Sequence, residues 1–177
     1  MNKNFLRGAA LALVATFSLN ANAATITGEL FIGGEAVAIP GPGLGDAIGI
    51  SFTQGFLVTG SSGDFAAAGI VFGNTGSIND FLFSDTNFLL LSIGDFSYTL
   101  NSMTVDLQTD DSLAVFGTGV LSAAGFDDTA YDFSLSVDGA GNLYSYSATL
   151  APNPIPVPGA LVLMLSGLAA LGFRRRG

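Results

Sequence analysis

Residues 131–137, Tyr-Asp-Phe-Ser-Leu-Ser-Val, place an apolar side chain at every odd position and a polar one at every even position. Successive side chains of an extended strand point to opposite faces, so a period of two predicts one buried face and one wet one. Downstream, Tyr144-Ser145-Tyr146-Ser147-Ala148-Thr149-Leu150 repeats the pattern, with Asp138-Gly139-Ala140-Gly141-Asn142 between the two runs. Glycine and asparagine tolerate the positive φ of tight turns, so this pair reads as a hairpin. Upstream, Asp95–Leu100 and Met103–Gln108 alternate in the same way. Thr25–Ile32, Ala47–Thr59, Ala67–Phe72, Phe88–Ile93 and Leu113–Leu121 are further strand candidates. Gly41-Pro42-Gly43-Leu44-Gly45 and Gly60-Ser61-Ser62-Gly63 break the chain between them. No stretch from 24 to 150 holds a helical period for more than about two turns. Many short strands with regular turns predict an all-β domain, an antiparallel β-sandwich or jelly roll. Such a sandwich, with no lysine to guard its edges, could also self-associate by strand addition.

Charge divides the chain sharply. Its fourteen acidic residues all lie between Glu29 and Asp138. Its five basic residues, Lys3, Arg7, Arg174, Arg175 and Arg176, all lie outside that interval. Lysine and arginine beside an apolar segment stay on the cytoplasmic side during translocation, so the acidic middle is expected to be exported. Met1–Ala23 reads as a signal peptide handled by the Sec export machinery and signal peptidase. Lys3 and Arg7 form its positive region, Ala9–Leu19 its apolar core, and Ala21-Asn22-Ala23 the small residues before a cut at Ala24. An uncleaved N-terminal anchor is the alternative. The exported domain is expected over 24–151, followed by a proline-rich linker, 152–158, that forbids helix and sheet alike. Gly159–Phe173 would make a helix about 22 Å long against about 30 Å of hydrocarbon, a single short transmembrane span. Residues 174–177 would then be its cytoplasmic arginine tail.

Three features occur in order at the C-terminus: Ile155-Pro156-Val157-Pro158-Gly159-Ala160, the apolar run to Phe173, and Arg174-Arg175-Arg176. Together they resemble the PEP-CTERM sorting signal. The commonest form of that motif is Val-Pro-Glu-Pro; here isoleucine leads and the glutamate is missing, so the tail is similar to the Val-Pro-Leu-Pro-Gly-Ala variants. The resemblance covers roughly the last 22 residues. It implies recognition by an exosortase, a cysteine transpeptidase, with transient residence in the inner membrane before release or attachment at the cell surface. It also implies a Gram-negative host making exopolysaccharide or biofilm. A plain anchor that is never cut is the alternative.

Composition removes most chemistry from the middle. Without His, Cys, Lys or Arg there, no base can activate a serine, no Schiff-base lysine exists, and no imidazole or thiolate can bind zinc. Stability must come from packing, since disulfides are impossible. The uniform negative charge repels nucleic acid. Carboxylates remain, and a glycosidase needs only two, but there is no tryptophan to stack a sugar. No enzyme is expected. Calcium is conceivable on two groups, Asp106, Asp110 and Asp111 around one turn and Asp127, Asp128 and Asp132 around another. Paired aspartates are ordinary in solvated turns, which is the expected reading, and no cofactor is required. The expected role is a structural or interaction protein of the surface or extracellular matrix. The alternative is a Ca-assisted carbohydrate-binding module, which outward-facing aromatics would favour. Tyr98, Tyr131, Tyr144 and Tyr146 all sit on apolar faces and read as core.

Overall fold

The alternation at 131–137 lies within a strand running Thr129–Asp138, whose odd-numbered side chains are buried from Tyr131 to Val137. The structure, a computed structural model, describes residues 23–139, 141 and 143–153. In chain order its strands are β1 (Ala24–Thr25), β2 (Leu30–Ile39), β3 (Gly49–Phe52), β4 (Phe56–Ser61), β5 (Thr75–Ile78) and β6 (Phe81–Leu82). They continue as β7 (Phe88–Ile93), β8 (Phe96–Gln108), β9 (Ser112–Ser122), β10 (Phe126–Asp127), β11 (Thr129–Asp138) and β12 (Tyr144–Pro152). Among the described residues a single short helix, α1 (Gly63–Ala67), follows β4.

The main sheet runs β12-β11-β9-β8-β7-β5-β4-β2, every pair antiparallel, and β12 then pairs back onto β2 from Tyr144–Ala36 to Leu150–Leu30. That last ladder closes an eight-stranded antiparallel barrel. The all-β antiparallel expectation therefore holds, with the sheet closed on itself instead of split into two open-edged layers. Closure pairs every barrel strand on both sides, which leaves less edge for strand addition, though β6 is paired only with β3. Beyond the barrel, β3 and β6 extend the sheet beside the second half of β2.

β3 and β4 run in one direction along the same edge of β2 and act as one strand interrupted by an outward bulge, Thr53-Gln54-Gly55. The alternating runs at 95–100 and 103–108 are likewise one strand, β8, with irregularities near Asn101 and Asp106 that keep both halves in register with β9. Thr25–Ile32 divides into β1 and the start of β2. Ala67–Phe72 is not a strand. Its first residue ends α1, and Gly69 (φ 82°) and Gly73 (φ 91°) then turn the chain twice in a conformation closed to most side chains.

An eight-stranded barrel is about wide enough for side chains to fill, and this one is filled. Leu100, Leu113, Val115, Tyr98, Tyr131, Phe133, Leu135 and Leu150 are among the residues buried inside. Gly117 and Gly119 also face inward. A Cβ on Gly119 would lie 2.7 Å from the Tyr98 ring, and one on Gly117 2.6 Å from Leu100. The glycines thus make room for the large side chains of the neighbouring strand. Each end carries a plug. At one, Phe65 of α1 is buried against Phe96 (4.7 Å) and Tyr131 (6.3 Å). At the other, the loop after β2 tucks in Leu44, and Gln108 Nε2 donates to the carbonyls of Leu44 and Ala47 at 2.8 Å each.

Candidate functional site

The outer face of β8, β9 and β11 carries several hydroxyl side chains, Ser102, Thr104, Thr118, Ser134 and Ser136 among them, at positions alternating with the buried face. A groove of about 390 Å³ crosses it, lined by Ser102, Thr104, Phe116, Thr118, Asp132 and Asn153 among others. Phe116 is half exposed there. It stands opposite Thr104 on one side and Ser134 on the other. Ser102 and Thr118 share a hydroxyl hydrogen bond of 3.0 Å, and Asn153 Nδ2 donates to Asp132 Oδ1 at 2.8 Å. The arrangement offers one apolar ring among hydroxyls, an amide and a single carboxylate, Asp132, which suits a polar ligand with an apolar face. The outward aromatic was hidden in the sequence. In Leu113–Leu121 both parities carry apolar residues, and the inward Gly117 and Gly119 disguise which face is buried.

A second cleft, of about 610 Å³, opens where β4 leaves the bulge. Gly33, Gly34, Gly55 and Gly76 line it, together with Glu35, Gln54 and Leu57. It is an open recess beside the bulge and holds no catalytic pairing among the described residues.

The four tyrosines are core, as their spacing predicted. Tyr98 Oη donates to the Tyr131 carbonyl (3.1 Å), Tyr131 Oη to the Gly28 carbonyl (2.9 Å), and Tyr144 Oη to the carbonyls of Gly141 (3.0 Å) and Pro42. Tyr146 Oη is buried without a partner among the described residues. Burial pushes the Tyr98 phenol well above its ordinary range, helped by the Asp132 charge. Burial, then the charges of Asp64 and Glu29, raises Tyr131 to about 12, and burial alone takes Tyr146 to about 12. These phenols stay protonated at neutral pH and do not act as bases; Tyr98 and Tyr131 serve as hydrogen-bond donors.

The carboxylates picked out as calcium candidates fall at two separate places. Asp110 and Asp111 sit in the β8–β9 turn with Asp106 just before it, and Asp127 and Asp128 sit near β10 at the opposite end. Asp132 faces outward on β11. Asp128 accepts from Ser122 Oγ (2.6 Å), and Asp132 is held by Asn153. Among the described residues no three acidic side chains converge on one point.

Ala23 and Ala24 border the first strand: Ala24 opens β1, which pairs in parallel with Phe126 and Asp127. Ala21, the motif Ile155–Ala160, the apolar run to Phe173 and Arg174–Arg176 lie outside the described residues. No helix among the described residues is long and apolar enough to cross a membrane. The chain matches no protein-family model, no curated protein and no solved structure.

Proposed function

We propose that this protein is exported, sorted through its PEP-CTERM-like tail by an exosortase-type transpeptidase, and serves as a non-catalytic component of the cell surface or extracellular matrix, associated with exopolysaccharide. One observation carries the reading. The two ends of the barrel leave from the same rim: Ile26 N–H donates to Thr129 Oγ1 (2.9 Å), and Asn153 N–H donates to the carbonyl of the adjacent Ala130 (3.0 Å). All five cations of the chain lie beyond those two points. A domain tethered at both ends to one membrane is served by connections on one side, and both connections of this barrel leave from one rim. Once the tethers are cut, the acidic barrel is left whole, because Ala24 and Asn153 already belong to its hydrogen-bonded frame.

The test is the intact mass of the protein recovered from cells and medium of a host that makes the transpeptidase. A species starting at Ala24 and ending within Pro152–Gly159 is expected. A mass that still contains Gly159–Gly177 sinks the sorting reading.

Phe116 and the hydroxyls around it favour a second reading, the carbohydrate-binding module. The uniformly acidic barrel repels anionic glycans, so the ligand would be a neutral polysaccharide stacked on the Phe116 ring, with any calcium bridging through exposed carboxylates. Retardation in a polysaccharide-containing gel should be lost in Phe116→Ala, and EDTA should weaken it only if an ion takes part. Equal mobility of wild type and variant in every polysaccharide would remove this reading.

A further inference from the structure

The groove beside Phe116 is built in part by the last described residue of the chain. Asn153 lines it, with its N–H donating to the Ala130 carbonyl (3.0 Å) and its Nδ2 to Asp132 Oδ1 (2.8 Å). The backbone is therefore fixed at the groove's edge just where Pro154-Ile155-Pro156-Val157-Pro158 begins.

Three properties of the groove match that segment. The first is reach. Asp132, Thr118 and Ser102 stand in one cross-strand row, with Phe116 and Thr104 in the next. Crossing from β11 to β8 takes two strand spacings, about 10 Å, and five residues in a polyproline II chain cover about 15 Å. The second is charge. The segment has no ionisable side chain, so the acidic barrel does not repel it. The single carboxylate that lines the groove, Asp132, already accepts from Asn153. The third is chemistry. A polyproline II chain makes no internal hydrogen bonds and a proline has no N–H, so such a segment needs donors for its carbonyls and an apolar surface for its rings. Ser102, Thr104 and Thr118 bring hydroxyls, and half-exposed Phe116 brings the aromatic face on which proline-rich segments dock.

We propose that residues 154–158 turn across this groove and dock on Phe116 of the same molecule. Ile155-Pro156-Val157-Pro158 then lies against the barrel wall, shielded from any enzyme that must grip it. Tethering favours this contact, because a short linker holds the segment at an effective concentration of about a millimolar. The docking goes beyond the sorting reading and does not depend on it. Only its consequence rests on that reading: the motif is presented to a transpeptidase when it leaves the wall. A docked segment also closes Phe116 to a glycan.

Because the chain has no cysteine, engineered pairs report the contact directly. Val157→Cys is combined with Thr118→Cys or with Ser102→Cys in the full-length chain, which is solubilised in mild detergent and oxidised at low protein concentration. Val157→Cys with Phe31→Cys is the control. Phe31, paired with Thr149, lies about 14 Å from Asn153 on the opposite side of β12, within the same reach but outside the groove. Both groove pairs should close an intramolecular disulfide, read as loss of both thiols at monomer mass, at least about fivefold faster than the control. Adding Phe116→Ala should slow them to the control rate, and since that ring is half exposed the barrel stays folded without it. Equal rates in groove and control pairs, or groove rates unchanged by Phe116→Ala, would overturn the proposal, as would disulfides that link two chains instead.

Discussion

β9 and β11 stay in register without interruption from Leu121–Thr129 to Ser112–Asp138, whereas β5 meets β4 only at Phe56–Gly76 and Leu57–Thr75 and meets β7 only at Ser77–Ser92 and Ile78–Leu91. The wall of β8, β9, β11 and β12 buries an alternating apolar face along most of its length. No residue of β5 is fully buried. The wall is therefore held by packing and hydrogen bonds together, and the seam mainly by short ladders and side-chain clips such as Asn79 Nδ2 to the Leu89 carbonyl (2.8 Å) and the Ser77–Ser92 hydroxyl pair (2.8 Å). Burial of a large apolar side chain contributes about 1.5–3 kcal/mol, while a net hydrogen bond contributes about 1 kcal/mol. The barrel thus has a thick side and a thin side.

The sharpest way to break the thick side is to fill its reserved space. Gly119→Val would drive a branched side chain into the Tyr98 ring and the β8 backbone, neither of which can move without opening the wall. We expect a loss of about 3 kcal/mol or more in urea unfolding. Gly94→Val is a useful contrast: a Cβ there meets nothing within 4 Å, so only its positive φ (56°) is penalised and the cost should be smaller. A Gly119→Val chain as stable as wild type would mean that the inward glycines are not needed for closure.

Hydrogen exchange compares the two sides directly. Amides of Val115, Phe133 and Leu135 should exchange only through global unfolding, and those of Ser77 and Ile78 through local opening at a free energy lower by about 2 kcal/mol or more. Uniform protection around the ring would show that the barrel opens as one unit.

How much of this was readable follows the same division. The runs at 131–137 and 144–150 were legible because one face of each is continuously buried, and burial is what imposes period two. Phe88–Ile93 and Leu113–Leu121 were legible only as apolar runs, since Leu90 and Leu91 are both buried and Ala114, Phe116 and Val120 face outward. β5 and β6 were not, since Thr75-Gly76-Ser77-Ile78 and Phe81-Leu82 are too short and too exposed to carry a period. Closure was illegible for a different reason. It rests on Tyr144–Ala36 through Leu150–Leu30, a pairing between segments more than a hundred residues apart, and local alternation is the same in a barrel and in a sandwich. Gln108, which locks the distal plug, reads as one more polar residue in an alternating run. The two terminal segments read as export and sorting signals, by contrast, lie outside the described residues.

Alkali should act on the thick side alone. Tyr98, Tyr131 and Tyr146, the tyrosines with raised pKa values, belong to β8, β11 and β12, and the seam has no tyrosine. A phenol whose folded pKa lies above its unfolded value of about 10 holds its proton more tightly in the native state. Its contribution is fully present below about pH 10 and is lost as pH rises through about 12 for Tyr131 and Tyr146. The urea midpoint should be flat from pH 8 to about 9.5 and fall beyond 10, with ultraviolet absorbance of tyrosinate rising in step with unfolding. Tyrosinate appearing near pH 10 in a still-folded barrel would contradict the burial of these hydroxyls.

The smallest expected effect separates two phenols within the wall itself. Tyr131→Phe removes the donor to the Gly28 carbonyl, which ties β11 to the segment leading into β2, and should cost about 1 kcal/mol. Tyr146→Phe removes a hydroxyl that is buried without a partner, while its ring keeps its edge contact with Phe52 at 4.9 Å and its place over Gly34. Deleting an unsatisfied buried polar atom relieves desolvation and loses no bond, so this variant should be as stable as wild type or slightly more so. A cost as large as that of Tyr131→Phe would mean that the Tyr146 hydroxyl has a bound partner in solution, and the interior beside Gly34 would then have to hold water.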